Sequence, residues 1–356
     1  MSVRKKTLDA IRRRNGSYIP FEFCLCPSKY EEFMQRTGSR NYVEYYKFPL
    51  RGTYPELINL GSQRFEKYYD SDNIYIEPEW GVGHVKGSMA HFTKMVHPME
   101  KFECVYEILE YPFPDANLNF NWEKLERDVK SLIEKDTVVS GGLECTIFET
   151  AWYLRGMENL FLDMTFNEDM ANCLLDRITE IKCTFARMYA KAGCDILRLG
   201  DDVSTQLDMM MSPDMWKKYL KGRLEKVIAC AKEINPDIFI FYHGDGNLTK
   251  IIPDLIEIGV EILNPVQPEC MDPLRIKDEY KDKLTLWGTL GTQTLMPFGT
   301  PSEVRDFCMK MIDKAREDNG GLVLAPTHVL EPEVPFENIL AFVETVKVYN
   351  GEKIRI

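Results

Sequence analysis

Histidine and basic charge are what this sequence has least of. It holds five histidines in 356 residues, and its 44 Lys and Arg are outnumbered by 56 Asp and Glu, which gives a net charge of −12 and a pI near 5.1. Binding a phosphate backbone needs a basic face. The one basic cluster, residues 4–14, reads as the solvated side of an amphipathic first helix (KKTLDAIRRR), so nucleic acid is not expected as a partner. No apolar run approaches the ~18 residues of a membrane span and no apolar leader stands at the start. Neither insertion nor export is expected, and the chain is read as cytoplasmic. The ten cysteines include no CxxC pair, so they read as reduced, mostly buried thiols. Cys24 and Cys26 form the one pair close enough in sequence to be weighed as ligands. A GxSxG elbow and an HExxH helix are both absent, which leaves a serine hydrolase and a zincin protease without support. GTLGTQT, at 288–294, has the place of a phosphate loop but lacks a basic partner.

What is present is enough apolar residue for a large core: 44% of the chain is hydrophobic and 28% charged, a balance that excludes global disorder. Short apolar runs alternate with helical spacing. Strands are expected at 18–25, 74–79, 137–143, 195–200, 238–242, 260–263, 284–288 and 321–324, most of them followed by an amphipathic helix. Eight such units fit a parallel sheet closed on itself better than an open, doubly wound one. The expected fold is α/β, a (β/α)8 TIM barrel with an N-terminal helical extension and an insertion after strand two. Residues 81–114, mixed and aromatic-rich, are read as that insertion. With neither an internal repeat nor a linker in view, 1–356 reads as one domain.

A barrel puts its chemistry at the residues that follow the strands. FYHGDGNL, at 241–248, ends an apolar run in a glycine-rich turn carrying His243 and Asp245, and an imidazole and a carboxylate so spaced can converge on a metal ion or a reacting proton. The run GGLVLA breaks at Pro326 and delivers His328 in an equivalent place. Other strand ends supply Glu22, Glu79, Glu144, Glu149, Asp201, Asp202, Asn264, Gln267 and Gln293, with Gln206 close behind. Asp201, Asp202 and Glu149 are the candidate catalytic acids. Gln206, Asn264, Gln267 and Gln293 are the candidate substrate contacts. Asp202 and Glu149 equally suit the first turns of helices, where carboxylates are favoured.

GDDVSTQ (200–206), MSPDMWKKYLKGRL (211–224), FYHGDGNLTKIIPDLIEIGVEILNPVQP (241–268), WGTLGTQTLMPFGTPSEV (287–304) and LAPTHVLEPEVPFENI (324–339) together resemble the uroporphyrinogen decarboxylase superfamily. Within it, they resemble the branch grouped with cobalamin-dependent methyltransferases. The likeness is strong over 140–350 and weak before that, and it implies a single (β/α)8 barrel. Decarboxylases proper carry an RQAGR-type segment after the first strand to grip acetates and propionates. Here that region reads FEFCLCPSKY, with no arginine between Phe21 and Gln35.

The methyltransferase branch holds zinc with His-x-Cys and a further cysteine ten residues before the Asn of PxEN. In this chain those positions read His243-Gly244-Asp245 and, counting back ten from Asn338, His328. The resemblance therefore implies a zinc site made of His243, Asp245 and His328. Exchanging two thiolates for one carboxylate and one imidazole leaves about +1 on the ion, which favours polarising oxygen over holding a nucleophilic sulfur. The implied function is metal-dependent methyl transfer between an oxygen-bearing small substrate and a corrinoid carried on a partner protein. Two alternatives stand beside it. One is a decarboxylase in which Asp201 or Asp202 stabilises a protonated intermediate, and the other is a non-catalytic partner of a corrinoid protein. A homodimer is compatible with either.

Overall fold

The computed structural model describes residues 1–70, 73–86 and 93–352. Seven strands, β1 (Leu50–Thr53), β2 (Val138–Glu144), β3 (Ile196–Gly200), β4 (Phe239–His243), β5 (Ile262–Asn264), β6 (Thr285–Trp287) and β7 (Leu322–Val323), lie side by side in chain order. Every neighbouring pair is parallel. The segment expected as strand one joins the far edge by two parallel bridges, Phe21 to Leu324 and Leu25 to Leu330. Helices cover the outside, and the architecture is TIM-barrel-like.

The strands are almost wholly buried, β4 running buried from Phe239 to Tyr242 and opening only at His243. A strand covered on both faces reads as an unbroken apolar run, which explains why six of the seven coincide with expected positions. The exception is β1. Four residues reading LRGT carry neither the length nor the pattern of a buried strand, and the expected second strand at 74–79 is something else. There Tyr75–Ile76 pairs antiparallel with Gly83–Lys86, which pairs with Thr93–Val96, in a small sheet apart from the barrel. The insertion therefore begins directly after β1, earlier than the aromatic content of 81–114 suggests. It also pairs Glu56–Leu57 with Phe120–Asn121 before the helix α2 (Trp122–Glu134) leads into β2.

The extension at the start is less solvated than expected. In α1 (Val3–Ile11), Leu8 and Ile11 join Val138, Ile196, Phe239 and Ile262, the first residues of their strands, in one buried cluster. Burying each such side chain contributes ~1.5–3 kcal/mol, so α1 acts as a plug in the N-terminal end of the barrel. Arg4 fastens it by donating from Nη2 to Asp195. Between β2 and β3 come α3 (Phe148–Arg155) and the long α4 (Glu168–Ala192), the helix that faces the insertion. Among the described residues no helix is long and apolar enough to cross a membrane.

Candidate active site at the carboxyl mouth of the barrel

Three neighbouring strand ends meet at His243. Gly200 on β3 and Asn264 on β5 are its register partners. A Cβ on Gly200 would lie 2.4 Å from the His243 carbonyl oxygen, so only glycine admits this approach. His243 Nδ1 lies 2.7 Å from Asn264 Oδ1, and Asn264 Nδ2 donates to the Trp287 carbonyl at 2.9 Å. A carbonyl can only accept, which fixes the amide with its oxygen toward the imidazole. Nδ1 therefore donates to Asn264, and Nε2 faces outward. It faces Asp202 Oδ1 and Asp245 Oδ1, each 3.9 Å away.

The two aspartates are tied together by the Asp245 backbone N–H, which donates to Asp202 Oδ1 at 2.7 Å. Burial pushes the Asp245 carboxyl above its ordinary range, opposed by His243 and His328 and reinforced by Asp202. Glu149 is raised too, first by burial and then by Asp202. Its Oε1 accepts from the Tyr153 hydroxyl at 2.8 Å and its Oε2 from the Asp202 backbone N–H at 3.1 Å. Asp201 points the other way. Its carboxylate accepts from the Ile147 and Glu149 backbone N–H groups at 2.9–3.1 Å, securing the start of α3, and burial followed by Glu149 pushes it up to about 7.

Of the candidate metal ligands, His243 and Asp245 come together, and the third member of the cluster is Asp202. One donor atom from each of these three lies within 4.8 Å of the others. His328 stands exposed on the loop after β7, where with Asp245, Gln267 and Gln293 it lines a shallow cleft of ~340 Å³. Asp245 thus belongs to both the cluster and the cleft. Gln267 is buried in that cleft wall. Gln206 Nε2 donates to Gln293 Oε1 at 2.7 Å, joining the loops after β3 and β6 across the rim. Asn264 has both ends of its amide engaged, one on His243 and one on the Trp287 carbonyl, so it positions the imidazole. Cys24 and Cys26 stand outside the cluster: burial pushes the Cys24 thiol up to about 11, and Cys26 Sγ is 3.3 Å from Ser28 Oγ.

In the floor of this mouth the sequence offered Glu22 and Glu144 as strand ends but not the arginine between them. Arg198, in the middle of β3, has its guanidinium 5.0 Å from the Phe241 ring and its Nε 2.8 Å from Glu144 Oε1, off the N–H line. Half-buried Glu22 accepts from Trp287 Nε1 at 3.0 Å, and desolvation raises its carboxyl despite the pull of Arg198. An arginine inside DILRLG was the available signal. Lys182, Trp80 and Tyr54, which bound a cavity of ~410 Å³ beside the mouth, were missed as well.

A parallel barrel that gathers carboxylates around an imidazole of fixed orientation, all at one mouth, defines the class: a TIM-barrel-like protein with its polar site at the strands' carboxyl ends. The chain belongs to the uroporphyrinogen decarboxylase (URO-D) family, whose model matches residues 81–349. It is 27% identical over 216 residues to the methylcobamide:CoM methyltransferase MtaA of Methanosarcina barkeri, an alignment covering 60% of this chain and 59% of that one. The match thus spans about three fifths of the methyltransferase. Uroporphyrinogen decarboxylase of Rickettsia felis (strain ATCC VR-1525 / URRWXCal2) is 23% identical over 348 residues, 95% of each chain. A solved methyltransferase from Methanosarcina mazei shares the fold, with a TM-score of 0.69 at 19% identity over 98% of this chain and 99% of that one.

Proposed function

We propose that this chain moves a methyl group between an oxygen-bearing small substrate and a corrinoid carried on a partner protein, using a divalent ion held by Asp202, His243 and Asp245. The observation that carries the reading is the orientation of His243: Asn264 occupies Nδ1, and Nε2 faces two carboxylates. A histidine oriented through its other nitrogen is the usual support of a metal ligand. The donor set fits such an ion, with two hard oxygens, one imidazole nitrogen and no thiolate. Two carboxylates bring the formal charge near zero, not the +1 implied by a His243, Asp245 and His328 set. The preference for an oxygen substrate then rests on ligand hardness. A divalent ion there supplies a Lewis acid for an ether or carbonyl oxygen.

The chain's own residues do the rest. Asn264 holds the imidazole, the Asp245 N–H aligns Asp202, and Glu149, its carboxyl raised by burial, stands with Tyr153 to hold or release a proton beside the cluster. Elemental analysis of protein purified without chelator or affinity-tag metal is the first test, with about one zinc or similar ion per chain expected. Methyl-cobalt absorbance after mixing with a methoxy compound and a reduced corrinoid is the second.

Decarboxylation is the second reading, favoured by the alignment to decarboxylases along 95% of the chain. In it Asp202, the more open of the paired aspartates, stabilises a protonated intermediate. Release of carbon dioxide without methyl-cobalt formation selects it.

A further inference from the structure

The cavity beside the mouth is walled on one side by β2 and α4 and on the other by the insertion. Lys182, on α4, enters it as a buried ammonium, 5% exposed. Its Nζ donates to the Cys145 carbonyl at 3.0 Å and sits 5.3 Å from the centre of the Trp80 ring. Among the described residues no carboxylate oxygen lies within the 4.0 Å of an ion pair. An ammonium has three N–H donors, and one is used.

Lys182 interacts with Glu79 at longer range than an ion pair, and a buried ammonium with two unused N–H donors is one that an anionic guest completes. The nearest competitor is Glu79. Its Oε1 already accepts from Trp80 Nε1 at 2.8 Å, and burial raises its carboxyl, which weakens it as a permanent partner for Lys182.

The remaining walls carry aromatic faces together with His84, Glu77 and Glu144, of which Glu144 is paired with Arg198 at 2.8 Å and Glu77 accepts from the Trp80 backbone N–H at 2.8 Å. Trp80 comes from the insertion and Phe120 from its end. Tyr54 lies so close over β2 that a Cβ on Gly142 would be 2.1 Å from its ring. At ~410 Å³ the space suits a single-ring compound. Tyr153 lines the same cavity while its hydroxyl donates to Glu149, whose Oε2 accepts from the Asp202 backbone N–H, so cavity and cluster are joined by a hydrogen-bonded wall.

We propose that this cavity binds a small ring-bearing carboxylate, its ring against Trp80 and Tyr54 and its carboxylate on the Lys182 ammonium. That such a compound is the substrate rests on the methyl-transfer reading; that it binds does not.

The test is titration of the full chain with benzoate, benzylamine and benzyl alcohol, followed by tryptophan fluorescence and calorimetry. Benzoate is expected to bind saturably and more tightly than the other two. Lys182→Met is expected to weaken it ~10-fold or more, the loss of a charge-assisted hydrogen bond. Glu79→Gln, which removes the competing carboxyl, is expected to tighten it, and this variant carries the test if Lys182→Met does not fold. Tighter binding of benzylamine, equal benzoate affinity in Lys182→Met, or weaker benzoate in Glu79→Gln overturns the proposal. His243→Ala separates the two readings: benzoate binding that survives in a variant without metal supports the cavity whatever becomes of the metal centre. Metal uptake by a parent chain that ignores benzoate sinks the cavity alone.

Discussion

Asn264 accepts from His243 with one end of its amide and donates to the Trp287 carbonyl with the other, at 2.7 and 2.9 Å, so a residue behind the imidazole decides which of its nitrogens faces the mouth. Removing it should free the ring to rotate and change tautomer. Asn264→Leu is expected to lower metal affinity ~10–100-fold while the fold persists, the usual cost of losing a partner behind a ligand. Asn264→Asp should fare little better, because its second oxygen would face the Trp287 carbonyl. Metal titration with circular dichroism as the folding control checks both, and undiminished affinity in Asn264→Leu would remove the orientation argument.

The donor set can be separated from its surroundings by comparing substitutions. Asp202→Ala, His243→Ala and Asp245→Ala should each lower occupancy sharply, since three protein ligands are the minimum for a catalytic zinc site. His328→Ala should keep most of it. Asp254→Ala is the control for lost charge, because Asp254 is paired with Lys221 at 2.8 Å on the outer helix Ile252–Glu257. Asp245→Cys should restore part of the binding and shift preference toward thiols. Equal uptake by all of these proteins, or none by the parent, leaves the cluster without a metal role. A loss in His328→Ala as large as in His243→Ala would instead return the ligand set implied by the motif comparison.

Why part of this site was legible and part was not follows from what a sequence displays. His243 and Asp245 end a run of buried residues, so the position of the strand announces them. The pair Asp201 and Asp202 announces itself equally, but which of the two faces the mouth depends on the backbone N–H groups of Ile147 and Glu149, brought close only by folding. Lys182 is worse placed still. In a helix it looks like any solvated lysine, and its burial exists only because the insertion covers it. The same limit applies to the fold: six strands covered on both faces stand out, whereas β1, with its arginine and glycine, is held by pairing with β2 and by little in its own composition.

Glu22 gives a pH signature of the barrel floor. Its carboxyl is raised above its ordinary 4.5 by desolvation, so the folded state holds the proton more tightly than the unfolded state does. With more protons bound in the native form, stability falls as pH rises from about 4.5 through the folded value. Glu22→Gln keeps an acceptor for Trp287 Nε1 and removes the titration. Its melting temperature is expected to decline less than the parent's across that window. Parallel melting curves of the two proteins between pH 4.5 and 8 would contradict the assignment.

The family includes decarboxylases of uroporphyrinogen, and this chain is expected to be a poor one. A porphyrinogen with eight carboxylates would meet Glu149, Asp202 and Asp245 at the mouth, where uncompensated carboxylate contacts cost binding energy. Arg198, a cation of the barrel floor, does not offset them: it lies below the cluster between Glu144 and Glu22, with its flat face against Phe241. No arginine stands between Phe21 and Gln35 to take its place. Anaerobic incubation with uroporphyrinogen and chromatography of the products should therefore yield substrate recovered intact. Coproporphyrinogen formed at ~1 s⁻¹, an ordinary enzymatic rate, would mean that the mouth accepts a polyanion, and both the acidic reading of the site and the methyl-transfer proposal would fall with it.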